Sequence, residues 1–317
     1  MNQKSKSLLF ILLIVDVILV AVAVFLIAQP ALNLGNFAVL SPKGPIASQE
    51  RHLMVMAVLI MLIAVIPVYF LIFFFAYKYR ADKTESKYEP AMDSKWVPWL
   101  LWLIPGIVIF IIGIINWQST HALDPYKQIA SSKKAITIQV VALRWKWLFI
   151  YPEYNIATVN FMEFPKGTPL NFELTADDAP MNSFWIPELG GQMYAMAGMS
   201  TKLHLMANDA GEFNGSAAEI NGAGLAGMRF IAKSVSDADF NHWASQTKAS
   251  SPPLTSEAYD ELLKPTQNNP QASFSSVNPN LYNGIMMKYM APASPDASQD
   301  GPASTNNNSM MHMEGMK

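Results

Sequence analysis

Three long apolar blocks open the chain, and a period-two texture follows them. The blocks are Ser7–Ala28, Leu53–Tyr77 and Trp96–Trp117. Each reaches the roughly 20 residues that a helix needs to cross a bilayer. Trp96, Trp99, Trp102, Trp117, Tyr77 and Tyr79 suit interfacial anchoring, because their rings are apolar with one polar edge. Pro67 and Pro105 fall inside the second and third blocks, where proline kinks a span rather than breaking it. Residues 35–124 are thus expected to hold a transmembrane hairpin, with helices over about 53–77 and 96–117. The first block reads two ways. Lys4 and Lys6 ahead of an apolar run suit a signal peptide, but the run exceeds the usual length of about 7–15 residues. Asp16 stands midway along it, and a carboxylate is costly in a span. Residues 1–34 are therefore a signal-like segment or a first transmembrane helix.

From Ala135 the pattern turns to period two in "ITIQVV", with Ile136, Ile138 and Val140 on one face, and short apolar-rich runs follow in "WKWLFIY", "IATVNF", "PLNFELT", "SFWIP", "QMYAM", "TKLHLMA", "EFNGSAA" and "GMRFIAK". Turn residues divide the runs at Pro165–Gly167, Asp177–Pro180, Gly190–Gly191 and Asn208–Gly211. Short strands at this spacing predict an antiparallel β-sandwich or barrel over 125–235. After Ser236 the texture turns helical. "SDADFNHWASQTK" has a serine cap, early acids and a late lysine, and "SEAYDELLK" and "NPNLYNGIMMKYM" predict two more helices within 236–290. Residues 291–317 are low in complexity and expected to be disordered. Their Met310, Met311, His312, Met313 and Met316 could capture a soft ion such as Cu(I), although methionines scattered in a solvated tail explain them as well.

Charge decides the orientation. The 78–95 loop carries Lys78, Arg80, Lys83, Lys87 and Lys95, whereas the 29–52 loop carries only Lys43 and Arg51. The positive-inside rule puts the 78–95 loop in the cytoplasm and everything after residue 118 outside. In a bacterium that is a multi-pass protein of the inner membrane with a periplasmic domain. A net charge of -2 offers nothing to nucleic acid. The absence of cysteine excludes disulfides and thiolate chemistry. His52, His121, His204, His242 and His312 form no pair at metal-ligand spacing, and no nucleophile–base set suggests independent catalysis.

Two helices followed by an outer β-sandwich resemble subunit II of the haem-copper respiratory oxidases. The stretch "ITIQVVALRWKWLFIYPE" (Ile136–Glu153) is similar to the opening of that family's cupredoxin-like domain, and "MNSFWIPELGGQMYAMAGM" (Met181–Met199) to a later strand and turn. "GSAAEINGAGLAGM" (Gly215–Met228) falls where the family keeps its dinuclear copper loop. The wording, with "SPKGPIASQERHL" and the aromatic stretch Pro265–Met290, resembles most the ubiquinol oxidase branch of cytochrome bo type.

The resemblance implies where copper ligands would stand. The two cysteine positions fall on Ala217 and Asn221, the loop histidine on Leu225 and the upstream histidine on Asn182; Met228 alone is retained. Ala, Asn and Leu offer neither bridging thiolate nor capping imidazole, so this chain is expected to bind no cofactor of its own. Electrons then arrive from a lipid-borne quinol. Haems and copper are implied in subunit I, with subunits I, III and IV and the lipid bilayer as partners, and ubiquinol as the substrate of the complex. This chain is implied to be a non-catalytic structural and docking subunit of a proton-translocating enzyme.

Glu219 stands where the family has a carboxylate reaching a Mg or Mn ion at the subunit I interface; a solvated loop acid is the plainer reading. Trp145 and Trp147 match an aromatic pair on the family's electron path and are read here as packing. The acid that many members carry near the start of the third block is missing around Pro98, with Asp93 and Glu89 nearest. The lipid-modified cysteine of the branch is replaced by Gly35, which favours retention of the first block. A free-standing, membrane-anchored copper- or ligand-binding protein of the periplasm is the alternative.

Overall fold

The computed structural model describes residues 38–79 and 96–290. The expectations placed on 1–34, Gly35, Glu89, Asp93 and 291–317 lie outside the described residues. A 3-10 turn at Ala38–Leu40 leads into helix α1, Pro45–Lys78, and α2 is Trp96–Ala122. Both are long and apolar enough to cross a membrane, and Ile63, Trp102, Phe110 and Trp117 expose their apolar side chains.

Helix α1 starts eight residues before its apolar block. Pro45 at its first position has the preset φ of a helix start. At ~1.5 Å per residue the helix runs about 50 Å, well beyond the roughly 30 Å of bilayer hydrocarbon. Its polar first turns are free to dock on the sandwich. There the Lys43 N–H donates to Glu188 O at 2.7 Å, the Ala47 N–H to Leu189 O at 3.2 Å and the Asn208 N–H to Lys43 O at 2.9 Å. The Gly191 N–H donates to Glu50 Oε1 at 3.0 Å. Gly44 passes so close to Met206 O that a Cβ there would overlap it. Two of the quoted motifs, "SPKGPIASQERHL" and "IPELGGQ", thus meet each other and set the domain on its helix.

The outer domain is two packed sheets. In chain order the strands are β1 (Ile136–Leu143), β2 (Lys146–Tyr151), β3 (Ile156–Val159), β4 (Phe161–Pro165), β5 (Leu170–Ala176), β6 (Asn182–Trp185), β7 (Met193–Ala195), β8 (Thr201–Leu205), β9 (Gly211–Ala217), β10 (Arg229–Val235) and β11 (Ala272–Phe274). One sheet has the order β11-β3-β2-β1-β5-β8 and the other β4-β10-β9-β6-β7. The sandwich is not wholly antiparallel as expected. β1 runs parallel to β5, and β4 parallel to β10. The reason is the path of the chain: β4 leaves the first sheet for the second, and β5 returns beside β1. Between the sheets the core is aromatic. Trp147 meets Phe184 and Phe230 edge-on, with centroids at 5.4 and 5.9 Å, while Phe184 and Phe230 stack at 5.0 Å.

Helices α3 (Asp237–Ser250), α4 (Ser256–Leu263) and α5 (Leu281–Met290) complete the domain. Ser236 caps α3 by accepting the Asp239 N–H at 3.1 Å, and Thr255 caps α4 through the Ala258 N–H at 3.2 Å. Helices α4 and α5, on either side of edge strand β11 in the chain, cover the outer face of the first sheet. Leu254, Tyr259, Phe274, Val277, Tyr282 and Ile285 form a second apolar cluster there with Val141, Leu143, Leu148 and Ile150.

Candidate functional site

The turn after β9, the start of β6 and the β1–β2 hairpin converge at one end of the sandwich. Asn182 opens β6 and is fully buried. Its Nδ2 donates to Pro180 O at 2.6 Å, which fixes the amide with Oδ1 facing the other loop. Asn221 Nδ2 donates to that oxygen and, at 3.0 Å, to Met228 Sδ. Met228 is buried beneath them. Asn182, Asn221 and Met228 therefore form a single polar knot. The remaining Asn221 Oδ1 is buried with no hydrogen-bond partner. Flipping that amide does not help, because it would set two carbonyl oxygens against each other.

Ala217 and Leu225 take no part in the knot. Ala217 ends β9 opposite Phe184, and its N–H donates to Met228 O at 3.1 Å. Leu225 begins a 3-10 turn and packs on the core between the sheets. Across the two loops the Ala218 N–H donates to Ser183 O at 2.9 Å. Hydrogen bonds, packing and one thioether hold this end of the sandwich.

Trp145 closes it from above. The residue has φ 61°, a left-handed value rare for an aromatic side chain. Its Nε1 donates to Asn221 O at 3.3 Å. Gly224 lies against its ring so closely that any Cβ would overlap Cγ. Trp147, two residues on, points the other way into the core and is fully buried. A cavity of about 540 Å³ beside the knot is lined by Arg144, Trp145, Asp178, Asn182, Asn221 and Tyr289, among others.

The donor set rules out a dinuclear copper centre. Such a pair needs soft bridging thiolates and imidazole caps; the convergent atoms here are two carboxamides and one thioether, with an alanine and a leucine at the other two positions. Glu219 sits part-exposed on the same loop. No group of three or more His, Cys, Asp or Glu that could hold a metal occurs among the described residues. Of the histidines, His204 is buried in β8 with Nδ1 2.8 Å from Pro125 O.

Three side chains that matter were not singled out from the sequence. Lys146 is buried, and its Nζ donates to Leu262 O, Lys264 O and Thr266 Oγ1 at 2.8, 3.0 and 2.8 Å. Desolvation lowers its pKa below the ordinary lysine value. Asp177 is buried as well, and Glu50 ties α1 to the sandwich. The only signal for Lys146 and Asp177 was a charge bordering an apolar strand, in "RWKWLFIY" and "FELTADDAP".

Residues 248–293 match the family model described as the COX Aromatic Rich Motif. The chain is 49% identical over 263 residues to cytochrome bo(3) ubiquinol oxidase subunit 2 of Pseudomonas aeruginosa, covering 82% of this chain and 79% of that one. To ubiquinol oxidase subunit 2 of Acetobacter aceti it is 41% identical over 254 residues, covering 79% of this chain and 82% of the relative. Among solved structures, the periplasmic domain of cytochrome oxidase subunit II of Bradyrhizobium japonicum aligns with 42% of this chain and 98% of its own at 19% identity. Its TM-score is 0.34, too loose a likeness to add to the strand order above.

Proposed function

This chain belongs to the ubiquinol oxidase subunit 2 family, and from that membership we propose that it is the non-catalytic second subunit of a proton-translocating terminal oxidase. The complex oxidises ubiquinol and reduces oxygen to water. One observation supports the division of labour: Asn182, Asn221 and Met228, where the resemblance implies copper ligands, form a knot of two carboxamides and one thioether that contains no atom able to bridge two copper ions. A donor that delivers electrons within the bilayer needs no relay in the outer domain.

Haems and copper then reside in subunit I, against which α1 and α2 pack with their exposed apolar faces, and subunits III and IV complete the assembly. The chain is multi-pass in a bacterial inner membrane, with the sandwich in the periplasm. The bonds between α1 and the Glu188–Gly191 turn support this arrangement, since they fix the sandwich over the point where the helix enters the membrane. Glu219 is a candidate ligand for a Mg or Mn ion shared with subunit I, carboxylate oxygen being the donor such hard cations prefer. Glu219→Gln with unchanged bound Mg or Mn in the purified complex would remove it from that role.

Purification of the tagged chain in mild detergent from its native membranes tests the reading. Haem and a large many-helix subunit are expected to co-purify, with oxygen uptake on ubiquinol and none on reduced cytochrome c. A lone, haem-free chain, or brisk turnover on cytochrome c, would contradict it.

A further inference from the structure

Asp177 directly follows β5, on the run that leads to Asn182, and is 2% exposed. Its carboxylate accepts three hydrogen bonds from the C-terminal helices: Tyr259 Oη of α4 at 2.7 Å, and Lys288 Nζ and Tyr289 Oη of α5 at 2.8 and 2.7 Å. The Tyr289 hydroxyl in turn accepts the Asp178 N–H at 2.8 Å. Arg144 Nε donates to Asp178 O, also at 2.8 Å. Asp178 has φ 46°, a left-handed backbone that persists where its surroundings over-determine it. Two residues later Pro180 O holds Asn182, and Asn182 holds Asn221.

A continuous line of bonds therefore runs from α4 and α5 through 177–182 into the knot. The knot is poorly equipped to order itself. Its members are neutral, and one of its buried acceptors, Asn221 Oδ1, has no partner, a deficit that costs stability rather than adding it.

We infer that the C-terminal aromatic-rich region is a clasp that orders the 178–182 and 218–228 loops from outside the sandwich, with Asp177 as the positioning residue through which it acts. The other buried charge under this region supplies the contrast. Lys146 bonds the end of α4 and the segment after it and makes no side-chain bond to either loop. Both charges anchor the region, but only Asp177 bonds directly into the run that leads to Asn182; from Lys146 the bonds reach Asn221 by way of Thr266, Asn269 and Trp145 and do not touch 178–182. The inference concerns this chain's own loops and does not depend on which substrate the complex oxidises.

Hydrogen–deuterium exchange on the intact complex in its wild-type, Asp177→Asn, Tyr289→Phe and Lys146→Met forms tests the clasp. Asp177→Asn is expected to speed exchange in both 178–182 and 218–228 by roughly tenfold, the factor that about 1.4 kcal/mol of opening energy makes. Peptides from β1 and β2 are expected to be unchanged. Tyr289→Phe keeps the ring, removes the shared hydroxyl and is expected to move the same two loops by a smaller factor. Lys146→Met is expected to act mainly on 262–269 and to leave 178–182 unchanged. Unchanged loops in Asp177→Asn would overturn the inference, as would an equal rise in β1 and β2 or opening of 178–182 by Lys146→Met. Should Asp177→Asn fail to assemble, Tyr289→Phe decides, and unchanged loop exchange in that variant overturns the clasp.

Discussion

The two sheets of the outer domain meet different fates on their far sides. Strand β2 of the first sheet is buried at all six positions, because the C-terminal helices cover the face that does not meet the second sheet. Strand β9 of the second keeps the alternation of a half-buried strand: Phe213, Gly215 and Ala217 face inward, while Glu212 and Asn214 are exposed. A groove of about 660 Å³ runs along that open face, bordered by Lys43, Glu188, Glu212, Asn214 and Arg229, among others. The aromatic-rich region is thus a structural layer of the domain rather than an appendage to it, and the first sheet depends on a third layer that the second does without.

Removal of the third layer has the largest expected effect. Truncation after residue 247 bares Leu143, Leu148 and Ile150, each worth roughly 1.5–3 kcal/mol when buried, against a typical total of about 5–15 kcal/mol. The expected outcome is loss of the folded subunit from membranes, read by immunoblot and haem content. Full accumulation of the truncated chain would mean the layer is dispensable. Next in size is Trp147→Ala. It empties the shared core between the sheets and is expected to cost about 3–5 kcal/mol, seen as a lowered Tm of the complex.

How much of this was legible in the sequence follows from the same contrast. The second and third apolar blocks announced helices because hydropathy over twenty residues needs no tertiary context. The end of "ITIQVVAL" and the whole of "WKWLFIY" lose their alternation, and that run of apolar residues was the trace of a sheet covered twice. The parallel partners of β1 and β4 were not legible, since strand order is fixed by crossovers between distant segments. Nor was β11, three residues on an edge that pair with β3 alone among the described strands. Helix α1 began early because its first turns are held by the sandwich, not by their own apolar pattern. At the site, motif matching nominated Asn182, Asn221 and Met228, and the structure brings these three together; it leaves Ala217 in a strand and Leu225 against the core. Asp177 escaped notice because an acid in "TADDAP" reads as an ordinary turn residue. Its donors lie 82 to 112 positions away along the chain.

A finer probe uses pH. Burial pushes the Asp177 carboxyl up, but the donors Lys288, Tyr259 and Tyr289 outweigh it and hold its pKa below the ordinary carboxylate value. A depressed folded pKa means the stabilisation is complete above the unfolded value, about 3.9, and is lost as pH falls through the folded one. Wild-type Tm is therefore expected to fall more steeply than that of Asp177→Asn as pH drops below about 4. Parallel acid limbs would show that Asp177 contributes no linked protonation. The smallest effect belongs to the open face. Asn214→Ala is expected to leave Tm within the spread of about 0.5 kcal/mol usual for exposed sites, and a larger loss would show that the second sheet is covered after all.

With two carboxamides and one thioether converging, the outer domain has no side chains able to build a dinuclear copper site. Electron paramagnetic resonance of the purified complex after copper loading tests this most directly. The quadruple variant Asn182→His, Ala217→Cys, Asn221→Cys, Leu225→His serves as the positive reference, since it restores thiolates and imidazoles beside Met228. A mixed-valence two-copper signal is expected in that variant and none in the wild-type chain; the same signal from the wild-type chain would overturn this reading of the site.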